Sequence, residues 1–394
     1  MRLFYWMPGS KCPYTDNQSY NLQHKGAGMT IRTLVLSGGG GRGAFHAGVF
    51  KYLSQLEKPG VSGDHQGVWV PDIVIGTSIG AVNGAAIVQG ISAEELEQFW
   101  LSLRERDVQG LPPSMGWVAR KVANLILKPA IGTGLPVVPP EIAMSGAASE
   151  SWPPLPVLPA WLSTRLIGRW SNLLDTGPLH KNLTDRLKLD EVKIAASEKM
   201  LIISATNVLT GEGVVFSNRL PTGITLRRII ASCSIPMVYP WTRDTDGELY
   251  WDGAVVANTP LGPALDAVRN RPMDEEMEVV IVMMTPWWES GGAAMRHLQA
   301  PQDFGEAMTW TLDWALLASF RRDLKMARMY NRQAQAALAR GETPEHRYVR
   351  DVIVAPEEFM PVNRIIDYDE VGSRNLIQLG QAAAEKAFKA AFAG

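Results

Sequence analysis

The chain has 394 residues, of which 46% are hydrophobic and 20% are charged, and its net charge is −2. The apolar content excludes an intrinsically disordered chain, and two cysteines are too few for a disulfide scaffold. Because basic and acidic residues are nearly equal in number, the composition does not indicate a nucleic-acid-binding protein. No apolar run reaches the ~18–20 residues of a membrane span. Composition therefore predicts a cytoplasmic protein that is soluble or peripherally bound to a membrane.

The N-terminal residues 1–28 show no periodic pattern, and Pro8 interrupts them too early for a signal peptide. We interpret them as a flexible leader before a single domain that covers residues 29–394. Within that domain, short apolar stretches alternate with helical ones, which is typical of a mostly parallel sheet with helices on both faces. Strands are expected at 30–36, 71–75, 200–205, 213–216, 249–251 and 279–284, and helices at 44–57, 79–89 and 376–388.

Two regions depart from this alternation. Residues 111–170 hold ten of the 26 prolines, few charges, and tryptophans at positions 117, 152, 161 and 170. Because tryptophan favours membrane interfaces, this insertion is either a cap or membrane-facing flap, or a packed cover on the edge of the sheet. Residues 287–350 form a second variable region around a long helix at 303–340, whose apolar stripe is expected to dock on the sheet.

A run of glycines, Gly38 to Gly41, then Arg42 and Gly43, follows the first strand and opens a helix. Glycines let a backbone approach a ligand closely, and a helix N-terminus attracts an anion. Gly38, Gly40 and Gly43 also match the G-x-G-x-x-G spacing of dinucleotide-binding loops. That interpretation needs an acidic residue at the end of a second strand, and the one candidate, Asp64, lies in a loop-like stretch.

The second motif is Gly76-Thr-Ser78-Ile-Gly80, between a buried strand and a helix of small residues. This is the context of a nucleophile elbow, in which a strained turn exposes the serine and small neighbours relieve crowding. The alternative is a serine that merely caps an ordinary helix. The strand–turn–helix context favours Ser78 as a nucleophile.

A serine nucleophile needs a base. The histidines that follow it, His180, His297 and His346, do not lie in the glycine-flanked loops expected of a catalytic histidine. Asp252, in the sequence Trp-Asp-Gly-Ala, offers a carboxylate on a tight turn that can accept the serine proton without an imidazole. An aspartate before a glycine is also a common turn former.

Taken together, these three motifs in this order and spacing resemble the patatin-like phospholipase family. Further similar stretches are 174–179, 231–236 and the C-terminal helix at 376–388, so that the resemblance covers about 30–270 and 360–392. It is weak or absent over 1–28, 111–170 and 287–350. The resemblance implies a three-layer α/β/α fold and hydrolysis of lipid acyl esters by a Ser–Asp dyad, with no metal or other cofactor.

The resemblance also implies a role for each motif residue. Ser78 is the nucleophile and Asp252 the base, and the backbone N–H groups of Gly39 and Gly40, with Gly41 as a further candidate, form the oxyanion hole. Arg42 either orients the glycine loop or meets a lipid phosphate, and we favour the first role. The remaining motif residues support this geometry: Gly38, Gly43, Gly76, Gly80, Gly253 and Ala254, the last of which replaces the commoner second glycine of the family.

Three alternatives remain open. One is a Ser-His-Asp carboxylesterase that uses His297 or His346. A second is a nucleotide-binding protein that holds phosphate with residues 38–43, and a third is a catalytically silent protein that associates with membranes. The presence of both Ser78 and Asp252 weighs against the silent protein.

Overall fold

The computed structural model describes residues 30–56, 69–108, 110, 174–271, 273, 275–288, 300–302, 304–360, 362–365 and 367–392. The expected leader at 1–28, the insertion at 111–170, Asp64 and His297 lie outside these residues. Eight strands form one mixed, mostly parallel sheet. They are β1 (Ile31–Leu36), β2 (Ile73–Thr77), β3 (Met200–Asn207), β4 (Gly213–Ser217), β5 (Thr242–Arg243), β6 (Leu249–Asp252), β7 (Met277–Val282) and β8 (Val349–Val354).

Helices cover this sheet. They are α1 (Ala44–Gln55), α2 (Ile79–Gln89), α3 (Ala93–Ser102), α4 (Glu105–Val108), α5 (Gly177–Asp185), α6 (Glu191–Ala196), α7 (Leu226–Ser232), α8 (Ala254–Ala257), α9 (Leu261–Asp266), α10 (Phe304–Ala339) and α11 (Glu370–Phe392). Short 3₁₀ helices span Gly40–Gly43 and Val362–Ile365. Among the described helices, none is both long and apolar enough to cross a bilayer.

Alternation along the strands creates two separate cores, because successive side chains of a strand point to opposite faces. On one face, Leu34 and Leu36 of β1 pack with residues of α1, α2, α3 and α11. On the other face, Ile31 and Val35 pack with α9 and with the buried stripe of α10. The expected α/β architecture, a mostly parallel sheet between two helical layers, is therefore confirmed.

Five strands run parallel in the order β3-β2-β1-β7-β8. The strands β4 and β6 pair antiparallel with β3, and β5 pairs antiparallel with β6. Ser204 of β3 pairs with Thr77 of β2, and the next residue, Ala205, pairs with Asp252 of β6. Both residues also pair with β4 on the opposite side, so β6 occupies the edge of β3 just beyond the end of β2.

The sequence analysis did not foresee β8. Its sequence, VRDVIV, interrupts an apolar run with Arg350 and Asp351, because an outer strand is only partly covered. The strand β7 begins at Met277, two residues before the expected start, and ends at Val282. The strand β1 leads into the glycine motif, and β2 leads into Ser78. Both lie in the interior of the sheet and run parallel, so their carboxyl ends meet at one edge.

Candidate active site

Ser78 lies on a strained turn between β2 and α2. Its backbone has φ 57° and ψ −126°, a conformation that side-chain-bearing residues rarely adopt. Such strain persists only where the surrounding structure holds it, and it is concentrated at functional sites. Here the Ser78 N–H donates to the Ser232 Oγ at 2.9 Å, and the Ser78 carbonyl accepts from the Ala81 N–H at 2.8 Å.

The two glycines that flank Ser78 are required by close backbone approaches. A Cβ at position 76 would collide with the carbonyl of Gly80, and a Cβ at position 80 would collide with the carbonyl of Leu36 in β1. The turn is thus packed against itself and against the neighbouring strand. This explains why small residues occupy both positions of the second motif.

Asp252 lies beside Ser78 because β6 continues the edge of the sheet where β2 ends. Its N–H donates to the Ser234 carbonyl at 2.9 Å, and its carbonyl accepts from the Thr206 Oγ1 at 3.0 Å. Gly253 follows without a side chain because a Cβ there would collide with Ser204. The backbone of Asp252 is therefore fixed on both sides.

The Asp252 carboxyl group is buried and only partly satisfied. Its Oδ1 accepts from the Ala254 N–H at 2.8 Å, whereas Oδ2 has no partner of standard hydrogen-bond geometry among the described residues. Burial raises the pKa of Asp252 to about 7, and the N–H of Ala254 and the hydroxyl of Ser78 oppose this rise. The Ser78 hydroxyl is thus near enough to act on the carboxyl while falling short of an ideal hydrogen bond, as is common before substrate binds.

The Cys233 thiol near Asp252 is neutral, and so is the phenol of Tyr368 near Cys233. Burial and the nearby Asp252 carboxylate raise the pKa of the Cys233 thiol well above its ordinary value. Burial and, secondarily, Tyr239 and Cys233 raise the pKa of Tyr368. No metal-binding cluster of three His, Cys, Asp or Glu residues occurs within the part of the chain that the structure describes.

The glycine loop approaches Ser78 from β1. A Cβ at Gly38 would lie 3.1 Å from the Ser78 Cβ, so the loop and the elbow are in contact. The Gly38 N–H is occupied, because it donates to the Asn258 carbonyl at 3.0 Å. By contrast, the N–H groups of Gly39, Gly40 and Gly41 donate to no other described residue. Among the described residues, therefore, no acceptor occupies these three amides.

The glycines of this loop are also needed for packing. Gly40 has φ +56°, and a Cβ there would collide with the Ile365 carbonyl; at Gly41 it would collide with the carbonyls of Arg364 and Asp367. At Gly43 it would lie 2.6 Å from the Ile79 Cγ1. The backbone of Arg364, Ile365 and Asp367 thus closes over the outer side of the loop, where a dinucleotide pyrophosphate would need open space.

Arg42 is 2% exposed and bonded to protein groups on two sides. Its Nη1 donates to Asp313 Oδ1 at 3.2 Å, and its Nη2 donates to the Met360 carbonyl at 2.7 Å. Burial raises the pKa of Asp313, and Arg42 opposes that rise. The guanidinium group therefore ties the glycine loop to α10 and to the segment after β8.

The described histidines make no contact with the dyad. His46 is buried beside Asn83, and burial lowers its pKa to about 3, so it is neutral. His180 is exposed on α5. His346 stacks on Tyr330 with ring centroids 3.9 Å apart. Tyr330 lies 17 residues beyond Asp313 on α10, about 25 Å along the helix axis at 1.5 Å per residue.

Sequence reasoning missed the residues that hold the motifs in place. Ser232 positions the elbow, and it lies in the stretch 231–236 whose similarity to the family was a usable signal. Asn258 holds the glycine loop, and Thr77 Oγ1 lies 2.6 Å from Ser204 Oγ beneath the elbow. Asn258 and Asp313 carry no motif of their own, so only the folded chain identifies them.

A known protein family matches more than half of this chain. A family model described as patatin-like phospholipase matches residues 34–265. No curated protein matches the sequence. Among solved structures, VipD from Legionella pneumophila is 12% identical with a TM-score of 0.38, and the match covers 92% of this chain and 68% of that one.

Two further solved structures contain ExoU. In the ExoU–SpcU complex from the type III secretion system of Pseudomonas aeruginosa, the matched chain is 14% identical with a TM-score of 0.33. The match covers all of this chain and 61% of that one. The type III effector protein ExoU is 12% identical with a TM-score of 0.35, with 92% of this chain and 53% of that one covered.

Proposed function

Because this chain belongs to the patatin-like phospholipase family, we propose that it is a serine hydrolase that cleaves carboxylic esters of phospholipids or other acyl lipids. Ser78 attacks the ester carbonyl while Asp252 takes its proton. The amides of Gly39 and Gly40, with Gly41 as a further donor, stabilise the oxyanion of the tetrahedral intermediate. As the ester C–O bond breaks, protonated Asp252 gives this proton to the departing alcohol, which leaves the acyl-enzyme. The regenerated carboxylate then takes a proton from a water molecule, whose attack releases the fatty acid, and the proton returns to the Ser78 oxygen.

The observation that carries this proposal is the pairing of a strained, buried Ser78 with a carboxyl group whose pKa lies near 7. A general base is most effective when its pKa lies near the working pH. An ordinary aspartate is too weak a base for this task, and burial strengthens it. The three unoccupied amides of the glycine loop supply the second requirement, a site for the developing negative charge.

The geometry supports the alternatives less well. An imidazole base would have to come from outside the described residues, where His24, His65 and His297 lie. Of the described histidines, His180 and His346 make no contact with the dyad, and the lowered pKa of buried His46 makes it a weak base. Nucleotide binding would require space that the backbone of Arg364, Ile365 and Asp367 occupies. Its candidate acid, Asp64, lies outside the described residues. We keep the Pro- and Trp-rich insertion at 111–170 as a candidate membrane-facing flap that would open at a lipid surface.

Active-site labelling tests the proposed function directly. A fluorophosphonate probe should label the protein once, and peptide mapping should locate the label on Ser78. In a structure of the adduct, the P=O oxygen should lie against the amides of Gly39 and Gly40. Labelling at another serine would contradict the proposal, as would tight calorimetric binding of ATP or NAD that the label leaves undisturbed.

The activity should depend on pH through Asp252. With the pKa of this carboxyl raised to about 7, kcat/KM for p-nitrophenyl butyrate should rise tenfold per pH unit below pH 7 and level off above it. The midpoint should move little with temperature, because carboxyl ionisation has a small enthalpy compared with imidazole ionisation. A strongly temperature-dependent midpoint would point to a histidine base.

The same shift predicts a stability effect with a defined sign. Since the pKa of Asp252 is raised from 3.8 to about 7, its contribution to stability is complete below pH 3.8 and is lost as the pH rises through 7. The Asp252→Asn variant lacks this loss. Between pH 4 and pH 8, the free energy of unfolding of this variant should therefore increase relative to that of the wild type, as measured by urea unfolding at each pH.

A further inference from the structure

The helix α10 presents an uncovered face of unusual composition. Its exposed side chains include Leu312, which is 42% exposed, and Met329, which is 38% exposed. Between these two apolar residues lie Arg321, Arg322 and Lys325, all exposed. The opposite side of the helix is buried in the second core. The exposed side is therefore a mixed surface of apolar and basic groups.

The charge on this face has one sign. The two acidic residues of α10 between 307 and 340 point away from solvent: Asp313 is buried against Arg42, and the side chain of Asp323 is 17% exposed. Asp323 accepts from the Gly262 N–H at 3.2 Å and lies 3.5 Å from the Arg322 Nε. Arg322 nevertheless keeps its side chain 70% exposed. Four cations of α10 thus face solvent, Arg321, Arg322, Lys325 and Arg332, and of these Arg322 is partly neutralised, although the whole chain is slightly acidic.

Aromatic side chains adjoin this face. Trp310 and Trp314 of α10 form a partly buried cluster with Trp288 and Phe359, with Trp310 stacked on Phe359 at 4.6 Å between ring centroids. The Arg321 guanidinium lies over the Trp314 ring, 4.8 Å from its centroid. Tryptophan favours the boundary between lipid and water, and basic side chains favour anionic headgroups.

The helix is also attached to the candidate active site at two points. Asp313 bonds Arg42 of the glycine loop and Thr285, and α8, which begins two residues after Asp252, packs against α10. From Asp313 to the basic residues at 321–325 is about 12–18 Å along the axis at 1.5 Å per residue. A surface bound by this face would therefore bind the same helix that holds the glycine loop.

We infer that the exposed face of α10, formed by Leu312, Arg321, Arg322, Lys325 and Met329, docks on an anionic lipid surface and places the active site beside it. Basic side chains attract anionic headgroups, and apolar side chains beside them can enter the boundary between headgroups and acyl chains. Nucleic acid is disfavoured because apolar groups and the tryptophan cluster share this face. The inference rests on the proposed lipid hydrolase function.

Vesicle flotation tests this inference without any turnover. The full-length protein is mixed with phosphatidylcholine vesicles, either pure or containing about one-third phosphatidylglycerol, at low and high salt. The test variant carries Arg321→Gln, Arg322→Gln and Lys325→Gln. The matched control carries Arg374→Gln, Lys386→Gln and Lys389→Gln on α11, where each cation is exposed but already paired with a glutamate.

We expect the wild type to bind the anionic vesicles and to be released by salt. Loss of the three α10 cations should weaken this binding about 100-fold, since each basic residue near an anionic surface contributes about fivefold. The α11 control, with the same change in net charge, should bind within about threefold of the wild type by the same scale. All three proteins should hydrolyse p-nitrophenyl butyrate at similar rates.

Equal weakening in both triple variants would overturn the inference, because it would indicate a response to net charge alone. Equal binding of the wild type to neutral and anionic vesicles would also overturn it. Binding to neither kind of vesicle would overturn it as well, and would favour an acidic protein as the partner of this basic face. Hydrolysis of the soluble ester without vesicle binding would leave the proposed function standing. Vesicle binding by a protein without esterase activity would reject that function and retain the docking surface.

Discussion

Replacing Ser78 by alanine is expected to remove ester hydrolysis while the fold is retained. The hydroxyl is the proposed nucleophile, and in serine hydrolases the loss of this group lowers kcat by roughly 10⁴-fold or more. Asp252→Asn should have a comparable effect, because an amide cannot accept the proton. The rate of p-nitrophenyl butyrate hydrolysis under saturating substrate measures both.

The double variant provides the decisive comparison. If Ser78 and Asp252 act as one unit, the double variant should lose little more activity than either single variant. If they act independently, the two fold-reductions in kcat should multiply. Ser217→Ala and Asp323→Asn are matched controls, since Ser217 is buried and Asp323 is another carboxyl whose pKa is raised by burial. Both should keep the activity within a few-fold, and thermal unfolding should show all of these variants folded.

The histidines provide the opposite control. Replacing His180, His297 or His346 by alanine should cost little activity. A loss of about a thousandfold at any one of them would be the size expected of a general base and would favour a Ser-His-Asp mechanism. His180 and His346 make no contact with Ser78 in the described structure. A thousandfold loss at either of these two would therefore require a large rearrangement of the site.

The second large effect is expected at the glycine loop. Gly39→Ala should lower kcat by about 10²–10³-fold with a smaller change in KM, because one oxyanion donor is worth roughly that much. The new methyl group would meet Met284, with its Cβ 2.8 Å from the Met284 Cγ. That side chain is flexible, but moving it would shift the loop that carries the amides. Steady-state kinetics on a short-chain ester measures the effect.

Gly40→Ala is the more severe change at the same loop. Position 40 has φ +56°, and a Cβ there collides with the Ile365 backbone, so both strain and steric overlap displace the amide. Gly211→Ala is a matched control, since Gly211 has φ +71° and open space around it. It should show the modest destabilisation of a left-handed alanine with unchanged kcat. Unchanged kcat in both Gly39→Ala and Gly40→Ala would reject this loop as the oxyanion hole.

Much of the fold was predictable because it depends on local patterns. The strands at β1 and β2 are continuous apolar blocks, and each leads directly into a glycine-rich turn and a helix. Hydrophobic burial on both faces of a parallel sheet leaves no other arrangement for such blocks. The strand β8 escaped prediction because, at the outer edge of the sheet, its charged Arg350 and Asp351 are only half-buried, with Asp351 paired with Arg328 of α10, and they break the apolar pattern.

The sequence by itself determined which residue types could carry the chemistry: a serine between two glycines, an aspartate on a tight turn and a run of glycines before a helix. Only the tertiary structure decided what surrounds them. The antiparallel β6 extends the sheet beyond β2 and brings Asp252 to Ser78 from 174 residues away in the chain. Burial of that carboxyl, which raises its pKa, depends on every element packed around it, and so does the burial of Arg42 against Asp313. Pairing and desolvation arise between distant segments, and no local pattern encodes them.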